Sequence, residues 1–322
     1  MHDAAASGML PVAGGYLRPK EVGAAMIRVV ELRKSFGTIT AVDSVSFDIA
    51  PGETFGLLGP NGAGKSTTIS MMVGALDPDS GEVVLDGNAD PKRNGDRRLL
   101  GLAPQTISLY DELTAAENLY FFGRLYGLRG DELRGRVEWA LEFARLGDRR
   151  RHRVKTFSGG MKRRLNLAAA LVHEPLVILL DEPTAGVDPQ SRNHIFDSIE
   201  ALRDEGRTIV YTTHYMEEAQ RLCDRVAIMD HGSVLALDTV DGLIDRYGGE
   251  SVVYAELSRP PENEADLPAP LDGLALRFAS ERPLEAVGRL AGTPGVNLAT
   301  LRVDRPDLES VFLSLTGRSL RD

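Results

Sequence analysis

Nine consecutive residues, Gly59-Pro60-Asn61-Gly62-Ala63-Gly64-Lys65-Ser66-Thr67, follow the spacing G-x-x-x-x-G-K-[ST]. Glycines at these intervals let a backbone turn tightly enough for successive N–H groups to face one anion. A helix beginning where the turn ends adds the positive end of its dipole. Lysine in that position supplies a point charge to the β- and γ-phosphates of a nucleotide, and the Ser66 hydroxyl is of the kind that ligates Mg²⁺. A second pair of candidates, Asp181 and Glu182, closes the apolar run Val177-Ile178-Leu179-Leu180. Ionised carboxylates leave water reluctantly, so two of them ending a buried strand point to a cation and a reacting group. Asp181 suits Mg²⁺, held directly or through water, and Glu182 suits the polarising of an attacking water.

The elements that must position these groups are legible around them. The apolar run 54–58 reads as a short buried strand before the glycine turn, and 68–73 as the start of a helix after it. Residues 177–180 run apolar without alternation, as a strand buried on both faces of a parallel sheet does. Asp188-Pro189 is an N-cap followed by proline at the first helical position, and Ile195, Ile199 and Leu202 form that helix's buried face up to Gly206. A further strand over 208–212 leads to His214. Strands and helices thus alternate from about 165 to 230, the α/β pattern of a parallel sheet.

The flanking regions have a different character. Residues 26–49 predict two or three short strands with turns at Phe36-Gly37 and Val42-Asp43, and 81–87 another strand. From 108 to about 150 the chain reads as helical, with Leu133, Val137, Leu141 and Ala144 recurring at three- and four-residue intervals. Gly159 and Gly160 precede a helix over 161–172. Beyond about 248 the pattern is of a small α+β appendage closed by a helix with Leu308, Val311, Phe312 and Leu315 on one face. Residues 1–25 are rich in Ala and Gly, lack a secretory pattern, and read as a disordered extension before a start at Met26.

Bulk composition narrows the classes. A net charge of −10 argues against general affinity for nucleic acid or for anionic lipid. No apolar run approaches the ~20 residues of a membrane-spanning helix. The basic runs at 149–155 and 162–164 read as solvated faces. The single cysteine, Cys223, rules out an internal disulfide, fits a reducing compartment, and lies in an apolar-periodic stretch where packing is its role.

The ordered set GPNGAGKST (59–67), Gln105 in LAPQ, FSGGM (157–161), VILLDEP (177–183), AGVDP (185–189) and His214 resembles the ATP-binding cassette of ABC transporters over about residues 26–240. The resemblance implies an α/β P-loop NTPase fold. It has a mixed sheet, an N-terminal antiparallel β part and a helical subdomain over about 106–165, in a cassette ending near 247, with 248–322 as an accessory domain. It implies ATP and Mg²⁺ as ligands, with Phe36 stacking on adenine where tyrosine is usual. Gln105 then senses the metal and the attacking water and couples to a membrane partner. Ser158, Gly159 and Gly160 form the signature that caps the γ-phosphate of ATP held by the opposite subunit, Asp188 crosses the dimer interface, and His214 touches the γ-phosphate. Phe157 and Met161 depart from the leucine and glutamine usual in the signature, outside its phosphate-contacting core.

In this family the phosphate loop and the signature of one site belong to different subunits, so the resemblance implies a head-to-tail homodimer around two ATP molecules. The stretch 104–127, the run SGGMKRRLNLA and the ending DLESVFLSLTGRSLRD are similar to ATPases of ABC-2-type exporters of the daunorubicin-resistance kind. That group works with separate permeases to export drugs, lipids, polysaccharide precursors or ions. The expectation is therefore a cytoplasmic subunit, peripheral on the inner face of the cell membrane, that drives efflux through another polypeptide. The competing class, a soluble ABC ATPase of translation or DNA repair, usually carries two cassettes or a long coiled coil, and neither pattern is present.

Overall fold

Val29 and Leu32 are both buried, and so are Val42 and Val45, although the members of each pair are three positions apart. A regular strand sends such odd-spaced side chains to opposite faces. In the computed structural model, which describes residues 26–86, 89–93, 95–261 and 263–317, the conflict is resolved by bulges. Strands β1 (Ile27–Phe36) and β2 (Ile39–Ile49) pair antiparallel with shifts in register. Glu31 and Ser44, at φ 46° and 51°, realign the buried face. The turn expected at Phe36-Gly37 lies where the two strands meet, but Val42-Asp43 is strand, because Val42 belongs to the core.

Next come β3 (Thr54–Leu58), α1 (Lys65–Met72), β4 (Ser80–Leu85) and β5 (Leu100–Ala103). The helices α2 (Ala115–Leu125), α3 (Gly130–Phe143) and α4 (Gly159–Leu171) are followed by β6 (Val177–Asp181), α5 (Pro189–Asp204), β7 (Thr208–Thr213) and α6 (Met216–Leu222). Strands β8 (Arg225–Asp230) and β9 (Ser233–Thr239) complete this part. One sheet has the order β2-β1-β4 and is antiparallel. The other has the order β5-β6-β7-β3-β8-β9, parallel except for its β8–β9 pair, so the architecture is α/β with mixed strand directions.

Strands β3, β6 and β7 are buried at every position because both faces are covered. Leu57, Leu179 and Val210 meet α1 and the antiparallel sheet, while Leu58, Leu180 and Tyr211 meet α4, α5 and α6. Parallel pairing of these three neighbours brings their C-terminal ends to one edge. The glycine turn, Asp181-Glu182 and His214 follow those ends, the crevice in which open α/β sheets bind ligands.

Two helix boundaries differ from expectation. Residues 108–114 are not helical, because the Asn118 side chain bonds the N–H and C=O of Tyr110, and a capping box of Thr114 and Glu117 starts α2. Helix α4 takes in Gly159 and Gly160, because the Ser158 hydroxyl accepts from the Met161 N–H and caps it. The basic run does face solvent in ion pairs, Arg150 with Glu138 and Lys155 with Glu112. Arg163 and Arg164 do not: each donates to backbone carbonyls, Arg163 to Gln105 and Ala185, Arg164 to Ala144. Cys223 is buried at the end of α6, where burial holds its thiol protonated.

The C-terminal part comprises α7 (Val240–Tyr247), β10 (Ser251–Leu257), β11 (Leu271–Asp272), β12 (Ala275–Ser280), α8 (Pro283–Gly292), β13 (Leu298–Asp304) and α9 (Leu308–Thr316). Its antiparallel sheet, ordered β11-β12-β10-β13, encloses a small core of Ala255, Leu276 and Leu290. The apolar face of α9 turns away from that core: Leu308, Val311 and Phe312 are buried with Leu243 of α7 and with Ala219 and Leu222 of the larger part. The extension expected over 1–25 lies outside the described residues. Among the described residues no helix is long and apolar enough to cross a membrane.

His173 joins the helical block to the sheet. Its ring stacks on Tyr126 with centroids 3.5 Å apart, and its Nε2 lies 2.9 Å from the Leu100 carbonyl, while Nδ1 is buried without a hydrogen-bond partner. Burial, against the Leu100 bond and with help from Arg136 and Arg98, pulls its pKa down to about 4. The unfolded imidazole protonates near 6.5, so between the two values the unfolded chain binds more protons and acid favours unfolding. Stability should hold above pH 6.5 and fall by at most about 3 kcal/mol as the pH drops to 4. Urea denaturation at several pH values checks this: His173→Gln should flatten that slope, and an unchanged slope would assign it to other groups.

Candidate active site

The glycine turn is built for close approach. A Cβ on Gly59 would collide with the Met229 carbonyl, and Gly64, at φ +100°, would place one against the Ala41 carbonyl. The Thr68 N–H reaches back 2.9 Å to the Gly64 carbonyl and starts α1. The N–H groups of Gly62, Gly64, Lys65, Ser66 and Thr67 donate to no described residue, which leaves five donors at a helix start for an anion. Lys65 folds over the turn, its Nζ donating to the carbonyls of Gly59 (2.7 Å) and Pro60 (3.0 Å). It also lies 3.5 Å from Glu182 Oε1, with both side chains more than nine-tenths buried. Burial lowers the Lys65 pKa, and the Glu182 and Asp181 carboxylates oppose that shift.

Around the two carboxylates the remaining groups converge. Asp181 Oδ1 accepts from the Ser66 hydroxyl at 3.1 Å and from the Thr212 hydroxyl at 2.6 Å. The Thr212 hydroxyl in turn accepts from the Glu182 N–H at 2.9 Å. Glu182 has φ 45°, a left-handed conformation that non-glycine residues adopt at a cost. Its Oε2 accepts from Gln105 Nε2 at 3.1 Å, and its Oε1 lies 3.3 Å from His214 Nδ1. That last pair is close without being aligned, since His214 Nδ1 makes no hydrogen bond. A hydroxyl and a carboxylate side by side, Ser66 and Asp181, are hard oxygen donors that fit a Mg²⁺ completed by phosphate and water.

The structure thus brings together Lys65, Ser66, Gln105, Asp181, Glu182 and His214. It groups Ser158, Gly159, Gly160 and Asp188 separately. Asp188 accepts from the Ser191 N–H (2.9 Å) and hydroxyl (2.7 Å), and the space a Gly160 Cβ would need is filled by that same hydroxyl. No hydrogen bond or ion pair joins this group to Lys65, Asp181 or Glu182 among the described residues. Phe36 is 52% exposed, with Lys34 Nζ 5.8 Å from its ring centroid and no other described ring upon it. Thr212 and Glu218 escaped the sequence reading, because the partners that place them, Asp181 for Thr212 and Thr184 and Arg192 for Glu218, lie on other segments, 26 to 34 residues away. Arg163, read there as solvated, carries no local signal of its two carbonyl partners.

Residues 42–185 match the family model described as ABC transporter. The chain is 42% identical to the linearmycin resistance ATP-binding protein LnrL of Bacillus subtilis (strain 168), covering 92% of this chain and all of that protein. It is 41% identical to the Nod factor export ATP-binding protein I of Bradyrhizobium sp. (strain SNU001), over 91% of this chain and 97% of that one. Among solved structures, the dimeric ATP-binding cassette MJ0796 bound to ADP and Pi superposes with a TM-score of 0.61 and 28% identity, covering 66% of this chain and 98% of that one. With a lysine-bearing glycine turn facing a carboxylate pair and full-length relatives at this identity, the chain is an ATP-binding and ATP-hydrolysing member of the ABC transporter family.

Proposed function

We propose that this chain is the ATPase subunit of an ABC-2-type exporter. In this reading two copies pair head to tail and power efflux of a drug, lipid or polysaccharide through a separate permease. The observation that carries the reading is the separation of Ser158, Gly159, Gly160 and Asp188 from Lys65 and Glu182: a site needing both sets of donors is completed by a second copy. The names of the relatives, resistance and export, favour outward transport, and the similarity over more than nine-tenths of the chain extends past the cassette. Residues 26–247 act as the cassette and 248–322 as an accessory domain, and the protein works in the cytoplasm against the inner face of the membrane without binding nucleic acid.

In the proposed mechanism the five free N–H groups and Lys65 hold the phosphates, Phe36 stacks on the adenine, and Ser158 to Gly160 of the second copy close over the γ-phosphate. Ser66, Asp181 and the Gln105 amide would hold Mg²⁺, which would supply charge neutralisation at the phosphates. Glu182 accepts the proton of the attacking water, with Gln105 and His214 orienting that water and the γ-phosphate, and Asp188 reaches across the interface. Hydrolysis in a site so arranged rests on positioning and electrostatics.

Tyr110, Phe121 and Leu125, all exposed on the helical block just beyond the Gln105 loop, suit a cytoplasmic segment of the permease. The test is affinity capture of the Glu182→Gln variant with ATP from detergent-solubilised membranes of the source organism, followed by co-reconstitution of what is captured. Capture of a multispanning protein that stimulates wild-type hydrolysis supports the reading. Capture of ribosomal or repair proteins alone overturns it. In the reconstituted pair, Gln105→Ala is expected to reduce permease stimulation several-fold more than basal turnover. Equal losses would place Gln105 in the chemistry alone.

A further inference from the structure

Glu218, the third residue of α6, is 1% exposed, and the mechanism above makes no use of it. A carboxylate is that deeply buried only where its lone pairs are answered. Oε1 accepts from the Thr184 hydroxyl at 2.7 Å and from Arg192 Nε at 3.0 Å. Oε2 accepts from the Tyr211 hydroxyl at 2.8 Å and the Thr213 hydroxyl at 2.7 Å. Four donors saturate one carboxylate.

What those donors belong to matters more than their number. Thr184 lies two residues beyond Glu182. Thr213 immediately precedes His214, and its hydroxyl also accepts from the Tyr215 N–H at 2.9 Å, so the backbone is held on both sides of His214. Arg192 stands in the first turn of α5, its N–H bonded to the carbonyl of the cap Asp188 at 2.9 Å. Tyr211 lies two residues before Thr213 in the interior of β7, whereas Thr213 is the last residue of that strand and leads directly to His214. Behind α6, Ala219 and Leu222 pack against Leu308, Val311 and Phe312, so the helix carrying Glu218 is itself braced.

We propose that Glu218 is a positioning residue for ATP hydrolysis, holding the Glu182 segment, the His214 turn and the Asp188 helix start at a set spacing without touching nucleotide. The proposal rests on the roles given above to Glu182 and His214. Their geometry is sensitive to such a support: Glu182 sits at a positive φ, and His214 Nδ1 is 3.3 Å from it but out of line, so a small shift of the turn changes whether the two engage.

Steady-state hydrolysis by the full chain separates this role from that of a fold staple. Thr184→Val and Thr213→Val each remove one donor from a segment leading to the site, while Tyr211→Phe removes one from inside the sheet. The threonine variants are expected to lower kcat about three- to tenfold, with KM for ATP within about twofold. Tyr211→Phe is expected to keep kcat within about twofold although its melting temperature falls as far as theirs. If kcat in all three merely follows lost stability, or none of the three changes kcat, the proposal is overturned. Glu182→Gln is measured beside them. If it is inactive while both threonine variants retain full kcat, the proposal alone fails. If it turns over like wild type, the underlying reading fails and takes the proposal with it.

Discussion

Lys65→Ala is expected to weaken ATP binding roughly 10²- to 10³-fold and to abolish measurable hydrolysis. The Lys65 ammonium is the one lysine or arginine cation within 4 Å of the carboxylate pair among the described residues, and it is held in place by the Gly59 and Pro60 carbonyls. Charge-assisted contacts to phosphate in a desolvated pocket are among the strongest a side chain makes, and removing one typically costs about 2–5 kcal/mol. The same substitution leaves the buried Asp181 and Glu182 without their cation, so the nucleotide-free protein should also lose stability, by up to about 3–5 kcal/mol. Calorimetric titration with ATP and thermal unfolding measure the two effects separately. Wild-type affinity in the variant would refute the phosphate-loop assignment.

Glu182→Gln is expected to lower turnover about 10²- to 10⁴-fold while ATP still binds, because an amide fills the same space and cannot take a proton. Lys65 keeps its two carbonyl partners in this variant, so the phosphate turn should persist. Bound but unhydrolysed ATP should then hold two copies together, and the variant with ATP should elute at twice the monomer mass. Turnover like wild type would place the general base elsewhere. An inactive variant that stays monomeric with ATP would instead refute the two-copy site.

Much of the fold was legible because local chemistry and final environment agree. The uninterrupted apolar run at 177–180, the Asp188-Pro189 helix start and the face of α9 could each be read from spacing, and each forms as read. Where reading failed, a longer-range demand had overridden the local pattern. Val42-Asp43 looks like a turn until Val42 is needed in the core, and 108–114 looks helical until Asn118 takes the Tyr110 backbone.

For the site, residue types and intervals pointed to Lys65, Ser66, Asp181 and Glu182, because phosphate and carboxylate chemistry restrict which side chains serve, whereas Gln105 and His214 were singled out by the family resemblance. Their convergence came from parallel pairing of β3, β5, β6 and β7, which sets four distant loops at one edge. The exclusion of Ser158 to Gly160 from that edge came from the packing of α4 against α5. Glu218, Thr212 and Arg163 belong to that second category. Their distant partners, such as Thr184 and Arg192 for Glu218 and Asp181 for Thr212, lie on other segments, and a hydrogen bond between residues tens of positions apart leaves no period or spacing in the chain from which to read it.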